Sequence, residues 1–135
     1  MKIVIIEDDA AAADDIIKLL GKITQPVTAI KIVGSITEAE SFFKSGHSTN
    51  LIFSNIKING SNSFTIFKQV KINTPVIYYA DDTAHAIEAY QSNAIGYMIK
   101  PLTRNAIADS VEIYKSLHEG FNKQGNHTNE FIASK

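Results

Sequence analysis

Short apolar runs alternate with longer amphipathic stretches along this chain. Residues 2–6 (Lys-Ile-Val-Ile-Ile) form a continuous β-branched run, the pattern of a strand covered on both faces. Asp9 then stands where a helix N-cap would. Ala12, Ile16, Leu19, Leu20 and Ile23 recur at helical spacing, predicting a helix over 10–23 that Gln25-Pro26 breaks. Residues 27–33 alternate enough for a second strand, nearer an edge. Ser35 and Glu38 read as a capping box for a helix through Lys44, which Ser45-Gly46 ends. A third strand is predicted over 51–55, followed by a polar, glycine-containing loop. Phe64, Phe67 and Val70 then mark a short helix up to Lys71. Asn73-Thr74-Pro75 resets the chain into a fourth strand over 76–79. Asp81-Asp82 caps a helix predicted over 83–92, and a fifth strand over 95–99 ends at Lys100-Pro101. Thr103 can cap a last helix that buries Ile107, Val111, Tyr114 and Leu117.

Strand and helix alternate five times through mostly short connections. Parallel strands need such crossovers, and their right-handedness makes the sheet doubly wound, with helices on both faces. Ligands in such sheets gather at the C-terminal tips of central strands. Three tips therefore matter: the acidic run Glu7-Asp8-Asp9, the amide Asn55, and Lys100-Pro101.

The bulk composition mainly excludes. A chain of 135 residues suits one domain, and a formal net charge of -1 gives no electrostatic reason to bind nucleic acid or a membrane. There are no cysteines, hence no disulfide framework and no thiolate metal site. No signal-peptide pattern opens the chain and no apolar run approaches the roughly 18 residues of a membrane span, so a cytoplasmic location is expected. His47, His85, His118 and His127 are scattered and share no metal-binding spacing. A folded domain is expected over 1–119. Residues 120–135 read as a polar linker, or the start of an output domain lying beyond, with Phe131-Ile132-Ala133 as a strand of something further on.

Four blocks carry a resemblance: Ile3-Val-Ile-Ile-Glu-Asp-Asp9, Leu51-Ile-Phe-Ser-Asn55, Pro75-Val-Ile-Tyr-Tyr79 and Ala94-Ile-Gly-Tyr-Met-Ile-Lys-Pro101. In order and spacing, over residues 2–118, they resemble the receiver domain of bacterial two-component response regulators. Residues 89–102 are most similar to receivers that precede LytTR-type DNA-binding domains. The resemblance implies a flavodoxin-like three-layer (βα)5 sandwich with a five-stranded parallel sheet in the order 2-1-3-4-5. In that family an acidic pair binds a divalent cation and an aspartate ending the third strand takes a phosphoryl group. A Thr or Ser ends the fourth strand and a Lys the fifth. Cation and ammonium neutralise charge on the transferred group, and the carboxylate is the nucleophile.

Carried over, the acidic pair is Glu7 and Asp8 and the lysine is Lys100. The acceptor position is Asn55, whose amide cannot form an acyl phosphate. The hydroxyl position is Ala80, the family's usual proline is Asn59, and its glycine is Ser63. Four departures in one site imply a degenerate receiver: not an enzyme, and a signalling module acting without phosphorylation. It would act through contacts of the fourth helix, fifth strand and fifth helix with a protein partner or itself, where Ala84, Ala86, Ala89 and Tyr90 offer an apolar patch. DNA would be reached only through a C-terminal domain. Glu7-Asp8-Asp9 reads either as caps on the first helix or as a remnant, weak Mg²⁺ pocket short of one charge at position 55. Lys100 is expected to pair with Asp8 or with the Asn55 amide oxygen. Tyr97, the switch aromatic by resemblance, either sits inward permanently opposite Ala80 or is a core tyrosine. Two other functions are weighed: a phosphoacceptor using Asp8 or Asp9, and a small flavodoxin-like binding protein or enzyme. The second lacks a phosphate-cradling loop.

Overall fold

In a computed structural model that describes residues 1–127, the periodicities resolve into a parallel sheet between two helical layers. The sheet strands are β1 (Lys2–Ile6), β2 (Ala29–Val33), β3 (Leu51–Asn55), β6 (Val76–Ala80) and β7 (Ala94–Ile99). They lie in the order β2-β1-β3-β6-β7, every neighbouring pair parallel. Counting only these five, that is the expected order 2-1-3-4-5.

A residue period of two sends successive side chains to opposite faces. Ile3, Ile5, Leu51, Phe53, Ile77 and Tyr79 pack against α1 (Ala10–Leu20) and α5 (Arg104–His127). Val4, Ile6, Ile52, Val76 and Tyr78 pack on the other side, against α2 (Ile36–Lys44), α3 (Phe64–Gln69) and α4 (Ala86–Tyr90). All of β3 and β6 is buried, which is why Leu51–Phe53 and Val76–Ala80 read as continuous apolar runs.

The expected caps form. Asp9 accepts from the Ala11 and Ala12 amides at 2.9 and 3.3 Å, and Thr103 Oγ1 accepts from Ala106 at 3.1 Å. Ser35 accepts from Glu38 N–H at 3.0 Å, while Glu38 reaches back to the Gly34 amide at 2.8 Å.

Several boundaries differ from the reading of the sequence. Helix α1 ends at Leu20, where the i→i−4 pattern gives way to tighter i→i−3 bonds from the Lys22 and Ile23 amides to the Leu19 and Leu20 carbonyls. The loop after β3 holds a small antiparallel hairpin, β4 (Lys57–Ile58) and β5 (Ser61–Asn62), turning through Asn59 (φ 50°) and Gly60 (φ 80°). Both positive φ values suit Asn-Gly, the preferred pair of a two-residue hairpin turn. Helix α4 has five residues rather than the ten expected. Asp82 Oδ1 takes the Ala84 amide at 3.0 Å in a local turn, and His85, at the N-cap, makes no side-chain cap bond. Helix α5 runs on through His127, over part of the stretch expected to be a linker, and Phe131-Ile132-Ala133 lies outside the described residues. Among the described residues no helix is long and apolar enough to cross a membrane.

Candidate functional site

The strand parity that builds the core also builds the site. Glu7 follows Ile5 by two, Asn55 follows Phe53 by two, and Tyr79 follows Ile77 by two, so all three project to the α1–α5 face. Register completes the row: β3 lies between β1 and β6, Ile6 pairs with Ser54, and Asn55 pairs with Tyr79. Three adjacent strand tips thus present a carboxyl, an amide and a phenol side by side.

Glu7 is only 3% exposed, yet well supplied with donors. Tyr79 Oη donates to its Oε1 at 2.8 Å. Asn55 Nδ2 donates to Oε1 and Oε2 at 3.2 and 3.4 Å, and the Asp9 amide donates to Oε2 at 3.2 Å. An ionised carboxylate only accepts, so the amide must turn its nitrogen towards it. Asp8 is exposed, and its Oδ2 takes the Asn59 N–H at 2.8 Å. Of the acidic run only Asp9 is a helix cap.

Lys100 makes neither of its expected contacts. The Asn55 amide presents its nitrogen to Glu7, and Asp8 bonds the Asn59 N–H, feeling Lys100 only as a nearby charge. Lys100 Nζ instead lies 3.8 Å from Asp81 Oδ1 and 5.8 Å from the centroid of the Tyr79 ring. Its backbone N–H bonds the Ala80 carbonyl at 2.9 Å, tying β7 to β6. The Lys100–Pro101 peptide is cis. Lys100, Pro101, Tyr79, Ile16 and Glu7 line a cleft of about 240 Å³ beside α1.

The other positions are equally specific. Ala80 is buried and offers no hydroxyl. Ser63 is buried with φ −67°, a conformation that needs no glycine. Tyr97 takes neither expected extreme. It is half-buried against the cluster containing Ala80, and its hydroxyl donates to the Asp82 carbonyl at 2.8 Å. On the face of α4, β7 and α5, Ile87, Tyr90, Ile99, Ile113 and Leu117 are exposed, whereas Ala89, expected in the surface patch, is fully buried.

The electrostatics follow from burial and donors. Loss of solvent pushes the Glu7 carboxyl up from 4.5, outweighing the bonds from Tyr79, the Asp9 amide and Asn55 that favour its ionised form. The Asn59 amide is the main cause holding Asp8 below 3.8. Burial, then the charge and hydrogen bond of Glu7, drive the Tyr79 phenol far up, so it is a donor at any physiological pH. A raised carboxyl binds its proton more tightly in the folded chain than in the unfolded one. Its ionisation therefore costs nothing below 4.5 and subtracts stability as pH rises through the folded-state value. Relative to Glu7→Gln, the wild type should lose unfolding free energy between about pH 4 and pH 7 in urea titrations. A difference that stays flat would show that Glu7 is not perturbed.

Divalent cations such as Mg²⁺ need several oxygen acceptors converging on one point. Glu7 and Asp8 are instead faced by N–H and O–H donors, and Asn55 turns its nitrogen inward. As they stand, these residues do not fit the ion. Among the described residues no group of three or more His, Asp or Glu side chains is placed to hold a metal.

Tyr79 is the residue that the sequence reading passed over. The parity of β6, which puts Tyr79 in one row with Glu7 and Asn55, was the available signal.

No family model matches the chain. Among curated proteins, the sensory transduction protein LytT of Bacillus anthracis is 27% identical over 120 residues, covering 85% of this chain and 47% of that protein. LytR of Streptococcus agalactiae is 29% identical over 126 residues, covering 88% and 50%. The chain thus spans about half the length of the curated relatives it matches. Among solved structures, the N-terminal domain of a response regulator/sensory box/GGDEF three-domain protein from Carboxydothermus hydrogenoformans superposes with TM-score 0.75 at 24% identity, covering 89% of this chain and 98% of that one. A response regulator receiver domain protein from Clostridium thermocellum gives TM-score 0.72 at 21% identity, with the same coverage of 89% and 98%. The chain has the response-regulator receiver (CheY-like) fold and is related in sequence to the LytT and LytR sensory transduction proteins.

Proposed function

We propose that this domain is a receiver-type signalling module, not an enzyme, that works without aspartyl phosphorylation. The observation that carries the reading is Asn55: a buried amide at the acceptor position, its nitrogen committed to Glu7 at 3.2 Å. An amide is no nucleophile towards phosphoryl donors, and Ala80 leaves no hydroxyl to bind a phosphoryl oxygen. Asp8 and Asp9 do not replace the acceptor, since one is held by the Asn59 amide and the other caps α1.

Regulation then rests on contacts. The α4–β7–α5 face carries apolar side chains on each of its elements, Ile87 at 80% exposure foremost. It is the surface for a protein partner or a second copy. The output is transcriptional, through a DNA-binding domain following the receiver, and the working compartment is the cytoplasm.

The test is incubation with acetyl phosphate and Mg²⁺ followed by intact-mass measurement. No phosphoryl adduct is expected. A stable adduct mapped to Asp8, Asp9 or any other crevice aspartate would overturn the reading.

A further inference from the structure

We infer that hydrogen-bond donors built into this chain, chiefly the Tyr79 hydroxyl, take the place of a divalent cation at Glu7 and Asp8. The crevice is then a metal-excluding knot. Nothing in this depends on phosphotransfer, which turns on Asn55 as a nucleophile; cation exclusion turns on who occupies the carboxylate oxygens.

A buried carboxylate without a counter-charge must find donors or give up its charge. Glu7 finds four hydrogen bonds, from Tyr79, Asn55 twice and the Asp9 amide. The Tyr79 bond is the shortest of these at 2.8 Å. It comes from a side chain that is itself only 1% exposed and carries no charge. Asn59 does the same for Asp8 with its backbone N–H at 2.8 Å. A proline at position 59 would have no N–H to give. It could not adopt the φ of 50° found there either. Two of the positions that depart from the receiver pattern, Asn55 and Asn59, therefore supply donors where an ion would need acceptors. Tyr79 completes the set from the neighbouring strand. A cation entering this site would have to displace the phenol from Glu7 while meeting the Asn55 amide nitrogen. The same bonds tie β1, β3 and β6 together at their tips, which fixes the crevice in one arrangement.

The experiment titrates Mg²⁺ into four forms: wild type, Tyr79→Phe, Asn55→Asp and the double variant, following the amide resonances of Asp8 and Asn59. Wild type should show no saturable response up to concentrations on the order of 10 mM. Asn55→Asp restores a third carboxylate but keeps the phenol on Glu7. The double variant should bind Mg²⁺ roughly ten- to hundredfold more tightly than Asn55→Asp, the equilibrium equivalent of one hydrogen bond to a charged group. Equal affinity of the two, no binding by either, or a millimolar site in wild type would each overturn the inference. If Asn55→Asp does not fold, wild type and Tyr79→Phe are compared using broadening by Mn²⁺. Broadening at Asp8 and Asn59 confined to Tyr79→Phe is expected, and equal behaviour would overturn the inference. A slowly exchanging hydroxyl proton, absent in Tyr79→Phe and unmoved by Mg²⁺ in wild type, gives a readout that needs no bound ion.

Discussion

Asn55→Asp is expected to destabilise the domain by about 2–4 kcal/mol at neutral pH. The change is nearly isosteric, so packing does not account for the loss. The amide nitrogen that donates to Glu7 at 3.2 and 3.4 Å becomes an oxygen, and two acceptors face one another. Both residues are buried, Glu7 at 3% and Asn55 at 7% exposure. Two ionised groups at such a separation would repel by roughly 5 kcal/mol at an effective dielectric constant near 20. The pair avoids the full repulsion by keeping one proton, which raises one folded-state pKa above its unfolded value. The sign follows: the penalty is full above that raised pKa and fades as pH falls towards the unfolded value. Urea unfolding at about pH 7 and about pH 5 should show the gap to wild type narrowing at the lower pH. An Asn55→Asp variant as stable as wild type at neutral pH would mean that the amide does not hold Glu7.

A second large effect concerns switching. Asn55→Asp alone, even if slowly phosphorylated, should rearrange residues 83–97 little, whereas adding Ala80→Thr should couple the two. A hydrogen bond from a hydroxyl to a charged phosphoryl oxygen contributes about 1.5–3 kcal/mol. That shifts a two-state equilibrium by roughly ten- to hundredfold, enough to invert a gap of a few kcal/mol. Ala80 has nothing to form that bond. The responding segment is held lightly: α4 buries only Ala89, and Tyr97 reaches the preceding loop through one bond to the Asp82 carbonyl. Comparing amide shifts over 83–97 in the two variants after acetyl phosphate treatment decides the matter. A full rearrangement in Asn55→Asp alone would place the entire loss at position 55.

What the chain disclosed in advance was whatever its local chemistry determines. The run at 2–6 is β1 to the residue, and the caps at Asp9, Ser35 and Thr103 each bond the amides their positions suggest. Helix α4 was overread because Asp82 satisfies the Ala84 amide in a turn of its own, a competition between local bonds that apolar spacing does not reveal. The hairpin at 57–62 is announced by Asn59-Gly60, a turn pair that apolar periodicity does not register. The contact of Lys100 belongs to another category. Its partner depends on where the turn after β6 places Asp81, and on which atom of Asn55 faces Glu7. Such choices are settled by through-space competition among several groups, which no spacing rule encodes.

Helix α5 occupies residues Arg104–His127 without interruption, and Ile107, Val111 and Tyr114 in its first half pack on the sheet. A flexible tether would set only how far a following domain can stray. A continuous helix also sets azimuth, because each residue adds about 1.5 Å of rise and about 100° of rotation. One residue inserted beyond His118 would swing everything downstream roughly a quarter-turn around the helix axis, while seven would return it almost to phase at a longer reach. Residue count along this helix thus acts as an angular dial. The direction in which anything attached beyond it would face is decided by number, independently of which residues do the counting.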